Sequence, residues 1–341
     1  GFVVDRVGAR AVMFGGLFFF AVAALIGAMA NGYTMLVITA VLSGVANSPF
    51  HPVDYSIINQ RVSSQRIGHA YSAHGLSGTL GYASATFFMV LIAEQYGWRS
   101  ALVAASVFAV CVLAVAVIFR DAIDTRSLIS PAHKPATGGN APARESSVAF
   151  MRQPVVWLCF AFFFVITFSN SAIQNFSTPA LQAIAGLKLT VAATALTGYL
   201  VCSAIGQLAG GFAISKQWAD PERIIAGALS GSAVLLLIAA TGVAGGLGTL
   251  LLVMLAGLGT GVAGPSRDLL IKRATPAGAT GRVYGTVYSG LDAGLAVSAP
   301  IFGWLMDHDL PRSIFLGAAT AMIIAMLIGL GVGRVVKKQS G

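Results

Sequence analysis

Charge is scarce here: Asp, Glu, Lys and Arg make up 10% of the 341 residues, against about a quarter in a soluble domain. A chain this poor in charge cannot clothe a water-facing surface, which excludes an ordinary soluble globular protein. Cysteine is scarce too. Cys111, Cys159 and Cys202 all lie in apolar stretches, with no CxxC spacing or clustered His, so neither a disulfide framework nor a zinc site is expected. No Lys/Arg run carries interleaved aromatics, and Lys272-Arg273 and Lys337-Lys338 each follow an apolar stretch, which argues against a nucleic-acid partner. HExxH, GxSxG, a P-loop lysine and paired catalytic carboxylates are all missing, so nothing positive supports an enzyme and no cofactor or metal is expected.

What the sequence has in abundance is apolar residues, 56% of the chain, with a mean hydropathy of +0.81. A bilayer core about 30 Å thick takes about 20 apolar residues per helix. Ten runs of that length are present: 11–29, 33–58, 70–93 and 100–119, then 155–178, 191–214, 224–243, 249–271, 283–306 and 313–335. The fold class predicted is therefore an all-α polytopic membrane protein in a lipid bilayer. Between the fourth and fifth runs, 120–152 carries Pro131, Pro135, Pro142, Gly138, Gly139 and mixed charges, and reads as a disordered linker. The expected organisation is a four-span bundle over 1–119, a linker over 120–152, and a six-span bundle over 153–341.

Positive charges fix the expected orientation. Of the 21 Lys and Arg, 17 fall on one side, including Arg6, Arg10, Arg61, Arg66, those of the linker, Arg282 and Lys337. Only Arg99, Lys188 and Arg312 fall on the other, and Arg267 lies inside a span. By the positive-inside rule the rich side, with both ends and the linker, faces the cytoplasm, as expected for a multi-pass plasma-membrane protein. The halves also resemble each other. Gly1-Phe2-Val3-Val4-Asp5-Arg6 pairs with Gly211-Phe212-Ala213-Ile214-Ser215-Lys216, while Gly68, Tyr71 and Ser72 match Gly285, Tyr288 and Ser289. Parallel repeats joined by a linker are a transporter pattern.

Gly1-Phe-Val-Val-Asp5-Arg6-Val-Gly8-Ala-Arg10 resembles the G-x-x-x-D-R-x-G-x-R loop of the major facilitator superfamily. The resemblance implies two six-helix bundles, so about ten of twelve transmembrane helices are expected in this sequence, with the first two upstream of Gly1. It also implies that Asp5, Arg6 and Arg10 latch the bundles in one transport state; a plain helix cap at Asp5 is the alternative. Phe50-His51-Pro52, Gly75, Gly78 and Gly81 are similar to fosmidomycin-resistance-type exporters. Drug/proton antiporters carry a Gly-Pro pair late in the fifth helix, whereas this sequence reads Gly81-Tyr82-Ala83-Ser84-Ala85-Thr86.

Polar side chains inside spans are costly and mark function by default. His51 and Asp54 share a helical face beside Pro52, with Pro49 just upstream. At 1.5 Å per residue they sit about 15 and about 10 Å inside the boundary near Arg61, where they could exchange a proton or form a structural hydrogen-bonded pair. Asp292 falls about 15 Å beyond Arg282, near the midplane. Arg267 could bind an anionic group bidentately, or pair internally with Asp268 or Asp292. Tyr71 with His74, and Asn170 with Gln174, share faces and fit a cavity lining or interhelical hydrogen bonds. Gly257-Leu-Gly259-Thr-Gly261 follows no strand, so close helix packing is expected of it. These residues predict a monomeric secondary transporter that moves a small organic solute, coupled to protons. Drug efflux and organic-anion/proton symport are the finer alternatives, and a membrane-embedded enzyme or a sensor the non-transport ones.

Overall fold

The apolar runs are helices in the computed structural model, which describes residues 2–125, 149–275 and 280–340. Gly1 and residues 126–148 of the expected linker lie outside the described residues. Among the described residues thirteen α-helices follow one another: α1 Phe2–Val7, α2 Ala9–Ala28, α3 Tyr33–Asn47, α4 Phe50–Arg61, α5 Ile67–Tyr96, α6 Trp98–Ile118, α7 Pro154–Ala185, α8 Leu189–Ala192, α9 Thr194–Ser215, α10 Pro221–Thr241, α11 Gly245–Ala274, α12 Thr280–Asp307 and α13 Arg312–Ser340. No strand occurs among the described residues. Eight segments among the described residues are long and apolar enough to cross a membrane. The 30 residues of α5 and the 28 of α12 add two more helices of crossing length. The protein is all-α and polytopic. Large apolar side chains stand exposed along the outside, Phe108 by 62% and Leu327 by 59%, as a lipid-facing surface requires.

Helix ends follow local chemistry. Pro154 and Pro221 open α7 and α10 at a position where a missing N–H costs nothing. Gly186 and Gly242 close the same two helices in the left-handed region, at φ 63° and 73°, where a side chain would be strained. The apolar run 33–58 is not one helix: it breaks at Ser48-Pro49. Pro49 cannot continue the α3 hydrogen-bond ladder, whereas Pro52 falls in the first turn of α4 and is tolerated there.

The chain divides into two compact units: Gly1–Val62 with Leu80–Phe150 and Pro276–Gly285, and Ser63–Thr79 with Met151–Thr275 and Thr286–Gly341. In the first unit α2 packs against α3 and α6, and the Ser106 hydroxyl donates to the Ala21 carbonyl at 2.8 Å. Val4, Ala9 and Val53 form a small core joining α1, α2 and α4. Arg61 donates to the carbonyls of Asp121, at 3.0 Å, and Asp124.

In the second unit α11 packs on α9 and α10, and α13 on α7 and α10. The approach of α9 to α11 is backbone to backbone. A Cβ on Gly206 or Gly210 would collide with the Leu258 or Val262 carbonyl, and one on Gly257 or Gly261 with that of Tyr199 or Ser203. Gly259 lies equally close to the Ala228 carbonyl of α10. The glycine triplet is thus a helix-packing device, as its sequence context predicts. Serines tie other helices together: Ser169 donates to Ala318 at 2.8 Å, Ser298 to Phe168 at 3.0 Å, and Ser232 to Ala256 at 2.7 Å.

Candidate functional site

The second unit encloses a cavity of about 190 Å3. Its wall is built from four helices. The first part of α5 supplies Tyr71, Gly75 and Thr79, and α7 supplies Asn170 and Gln174. From α9 come Tyr199, Leu200, Ser203 and Gln207, and from α11 come Thr260, Gly264, Pro265, Arg267 and Asp268. Pro265 lies inside α11, where it offers no N–H to the carbonyl one turn back. Interrupted backbone hydrogen bonding at membrane depth is tolerated where it lines a cavity.

Among the described residues, the charges on this wall belong to one pair. Arg267 Nε donates to Asp268 Oδ1 at 2.9 Å, and the Tyr288 hydroxyl donates to the same oxygen at 3.2 Å. The Asp268 side chain is 4% exposed and that of Arg267 25%. The Arg267 guanidinium also lies 4.7 Å from the centre of the Phe163 ring, a cation–π contact. Of the alternatives open for Arg267, the internal pair with Asp268 is the arrangement found. Among the described lining residues formal charge therefore sums to zero, and the remaining polar groups are hydroxyls and amides. The Tyr199 hydroxyl donates to Asn170 Oδ1 at 2.9 Å. Gln207 Nε2 donates to Thr79 Oγ1 at 3.1 Å, and Ser72 Oγ donates to the Gln207 carbonyl at 2.7 Å.

Tyr71, Asn170, Gln174 and Arg267, singled out from the sequence, are thus brought together around one cavity. His74 is half-buried on α5 and Asp292 is exposed on α12; neither lines it. His51 and Asp54 are half-buried on α4 in the first unit. Arg6 is exposed at the end of α1, and Arg10 pairs with Asp124 at 2.9 Å. Sequence reasoning missed Tyr199, Ser203, Gln207 and Thr260. Gln207 was open to the same rule that picked Gln174, a polar side chain in an apolar run, whereas Ser and Thr are too common in membrane helices to stand out. Among the described residues no group of three His, Cys, Asp or Glu could hold a metal ion.

Solved structures share this architecture. The Escherichia coli fucose:proton symporter FucP, in a variant form, superposes with a TM-score of 0.74 at 16% identity, over 97% of this chain and 86% of that one. FucP in the outward conformation gives 0.72 at 17%, over 97% and 85%. At these identities the likeness is one of fold. A 99-residue stretch, 29% of the chain, is 26% identical to the multidrug resistance protein B homolog of two Mycobacterium tuberculosis strains, and spans 18% of that protein. The family model described as Major Facilitator Superfamily matches residues 1–193 and 163–340. With nearly the whole length matched, and with the helices and fold that such a match requires, the chain belongs to the Major Facilitator Superfamily.

Proposed function

We propose that this superfamily transporter is a proton-coupled secondary carrier that moves a small organic solute by alternating access. The observation carrying this reading is the cavity of about 190 Å3, walled by hydroxyl, amide and one neutralised charge pair inside apolar helices. Polar groups so placed are costly unless a polar solute or ion uses them. Titratable groups in spans, His51, Asp54, His74 and Asp292, supply candidates for proton binding, and no nucleotide-binding motif offers another energy source. The likeness in fold to FucP, a fucose:proton symporter, supports the same coupling. Bundles over 1–119 and 153–341, with the linker and both ends at the cytoplasmic face of the plasma membrane, are the organisation the basic residues favour. The chain works as a monomer, and Asp5 and Arg6 latch the cytoplasmic side in one state. Drug efflux is a second reading, favoured by the multidrug-resistance match.

The test is flux in proteoliposomes under an imposed pH gradient. Replacing the proton-carrying acid abolishes gradient-driven accumulation but leaves counterflow, because exchange needs the conformational change and no net proton movement. Asp54→Asn and Asp292→Asn assign the carrier. If both variants still accumulate solute, the acids are structural.

A further inference from the structure

The two threonines on the cavity wall give their protons to their own helices, Thr79 to the Gly75 carbonyl at 3.1 Å and Thr260 to that of Gly257 at 2.8 Å. Asn170 is different. The Tyr199 hydroxyl donates to its Oδ1 at 2.9 Å, which turns the amide oxygen toward α9 and leaves both N–H groups of Nδ2 outside that bond. Nδ2 makes no hydrogen bond among the described residues, and it keeps accessible surface on a half-buried side chain that lines the cavity. Ser203, one turn along α9 from Tyr199, also lines the cavity, and its accessible hydroxyl makes no hydrogen bond among the described residues. The exposed Gln174 amide, one turn along α7 from Asn170, makes none either. Two i,i+4 pairs on facing helices thus bring uncharged groups with unmet hydrogen-bonding capacity to one space. At membrane depth a donor left without an acceptor is costly.

We propose that Asn170 Nδ2, oriented by Tyr199, is the donor that docks the solute, and that the solute is a small, uncharged molecule carrying an acceptor oxygen such as a hydroxyl or carbonyl. The inference rests on the transport reading above and names the solute class for the same cavity. Nδ2 presents N–H groups, and an ammonium has no lone pair to accept from them. A carboxylate or phosphate accepts, yet it brings charge against a wall whose described lining residues sum to zero and whose cation, Arg267, already holds Asp268; that charge stays uncompensated. A hydroxyl or carbonyl oxygen accepts without bringing charge, and Ser203 and Gln174 can both donate to and accept from its neighbours. The cavity, at about 190 Å3, lies below the roughly 300 Å3 at which drug-sized sites begin, so the solute is small. A site built to bond one solute oxygen rejects the analogue that lacks it, since the donor is then left unpaired.

The experiment is counterflow of three probe sets in proteoliposomes of the full-length protein: D-galactose and D-mannitol, lactate and benzoate, and choline. The uncharged probes exchange, and in wild type one monodeoxy analogue of the better probe loses at least about tenfold in apparent affinity. Asn170→Asp keeps an oxygen for the Tyr199 hydroxyl but replaces the donor nitrogen by an acceptor. It raises KM for the parent probe by a similar factor with Vmax within about twofold, and it erases the difference between the parent and that analogue. A merely structural asparagine weakens both compounds alike, leaving their ratio unchanged, and that result overturns the proposal. Where Asn170→Asp does not fold, Asn170→Leu combined with Tyr199→Phe removes both partners of the bond together, the less costly change; it too erases the difference, and an unchanged ratio there overturns the assignment. Tyr199→Phe alone, which frees the amide to turn, lowers the same ratio, and a wild-type ratio overturns the orienting role of Tyr199. Exchange of lactate, benzoate or choline alone defeats the solute class while leaving transport standing. Absence of flux for every probe in folded protein defeats both.

Discussion

The guanidinium of Arg10, one residue into α2, meets the carboxylate of Asp124, beyond the end of α6, at 2.9 Å. Arg61, the last residue of α4, holds the backbone carbonyls of Asp121 and Asp124 at the same place. Two arginines from separate helices thus anchor the chain where it leaves α6.

Breaking this anchor has a modest cost, because the Arg10 and Asp124 side chains are 31% and 24% exposed. Arg10→Ala or Asp124→Ala lowers stability by about 1 kcal/mol or less. A double-mutant cycle by thermal unfolding in detergent shows coupling between the two, and fully additive losses would deny it.

The glycine contacts predict sharper losses. Gly206→Ala and Gly261→Ala drive a methyl group into a facing carbonyl, costing about 1–3 kcal/mol or preventing folding. Gly227→Ala and Gly231→Ala, where nothing lies within 4 Å, are neutral or stabilising by up to about 1 kcal/mol through helix propensity. Detergent melting temperatures separate the two pairs, and equal behaviour would refute the close approach.

Asp268→Asn strips the Arg267 guanidinium of its carboxylate in a cavity wall. Loss of one member of a fully buried pair costs about 3–5 kcal/mol, and the 25% exposure of Arg267 places the expected loss below that range. The variant gains affinity for anions such as benzoate, which competition in counterflow measures. Arg267→Met combined with Asp268→Asn recovers stability relative to the single change; a further drop would show that the two act separately.

At the α10–α13 junction Lys337 Nζ lies 2.8 Å from Asp220 and 2.6 Å from Glu222. The Lys337 hydrogen bond, and then its charge, hold the Asp220 carboxyl below its ordinary 3.8. A carboxylate whose pKa is depressed on folding stabilises the protein above the unfolded value and loses that contribution as pH falls through the folded one. The melting temperature therefore declines on acidification below about pH 4, and Lys337→Ala weakens this part of the decline. A profile unchanged by Lys337→Ala would remove the linkage.

Much of the architecture was legible because apolar length alone defines a membrane helix, and α2, α6 and α10 fall close to their apolar runs. The break inside 33–58 was visible only as Pro49, since hydropathy does not distinguish one helix from two meeting at a turn. Tyr71, Asn170, Gln174 and Arg267 stood out as polar groups in costly surroundings. Tyr199 did not, because its ring is apolar enough to pass for core; its role depends on Asn170, 29 positions away. Likewise Arg10 and Asp124 are 114 residues apart, and nothing local says that they meet. Asp220 sits where a cap is expected at the start of α10, yet makes no side-chain cap bond; its carboxylate turns instead to Lys337, 117 positions along the chain.

The touching backbones of α9 and α11 have a mechanical consequence. Two helices separated by long side chains can slide or roll by letting rotamers readjust, whereas glycine-to-carbonyl contacts leave no such slack. α9 and α11 therefore behave as one beam. Tyr199 and Gln207 on α9 are therefore expected to keep their spacing from Thr260 and Arg267 on α11 in any rearrangement of the second unit, so that this part of the cavity wall moves as one piece.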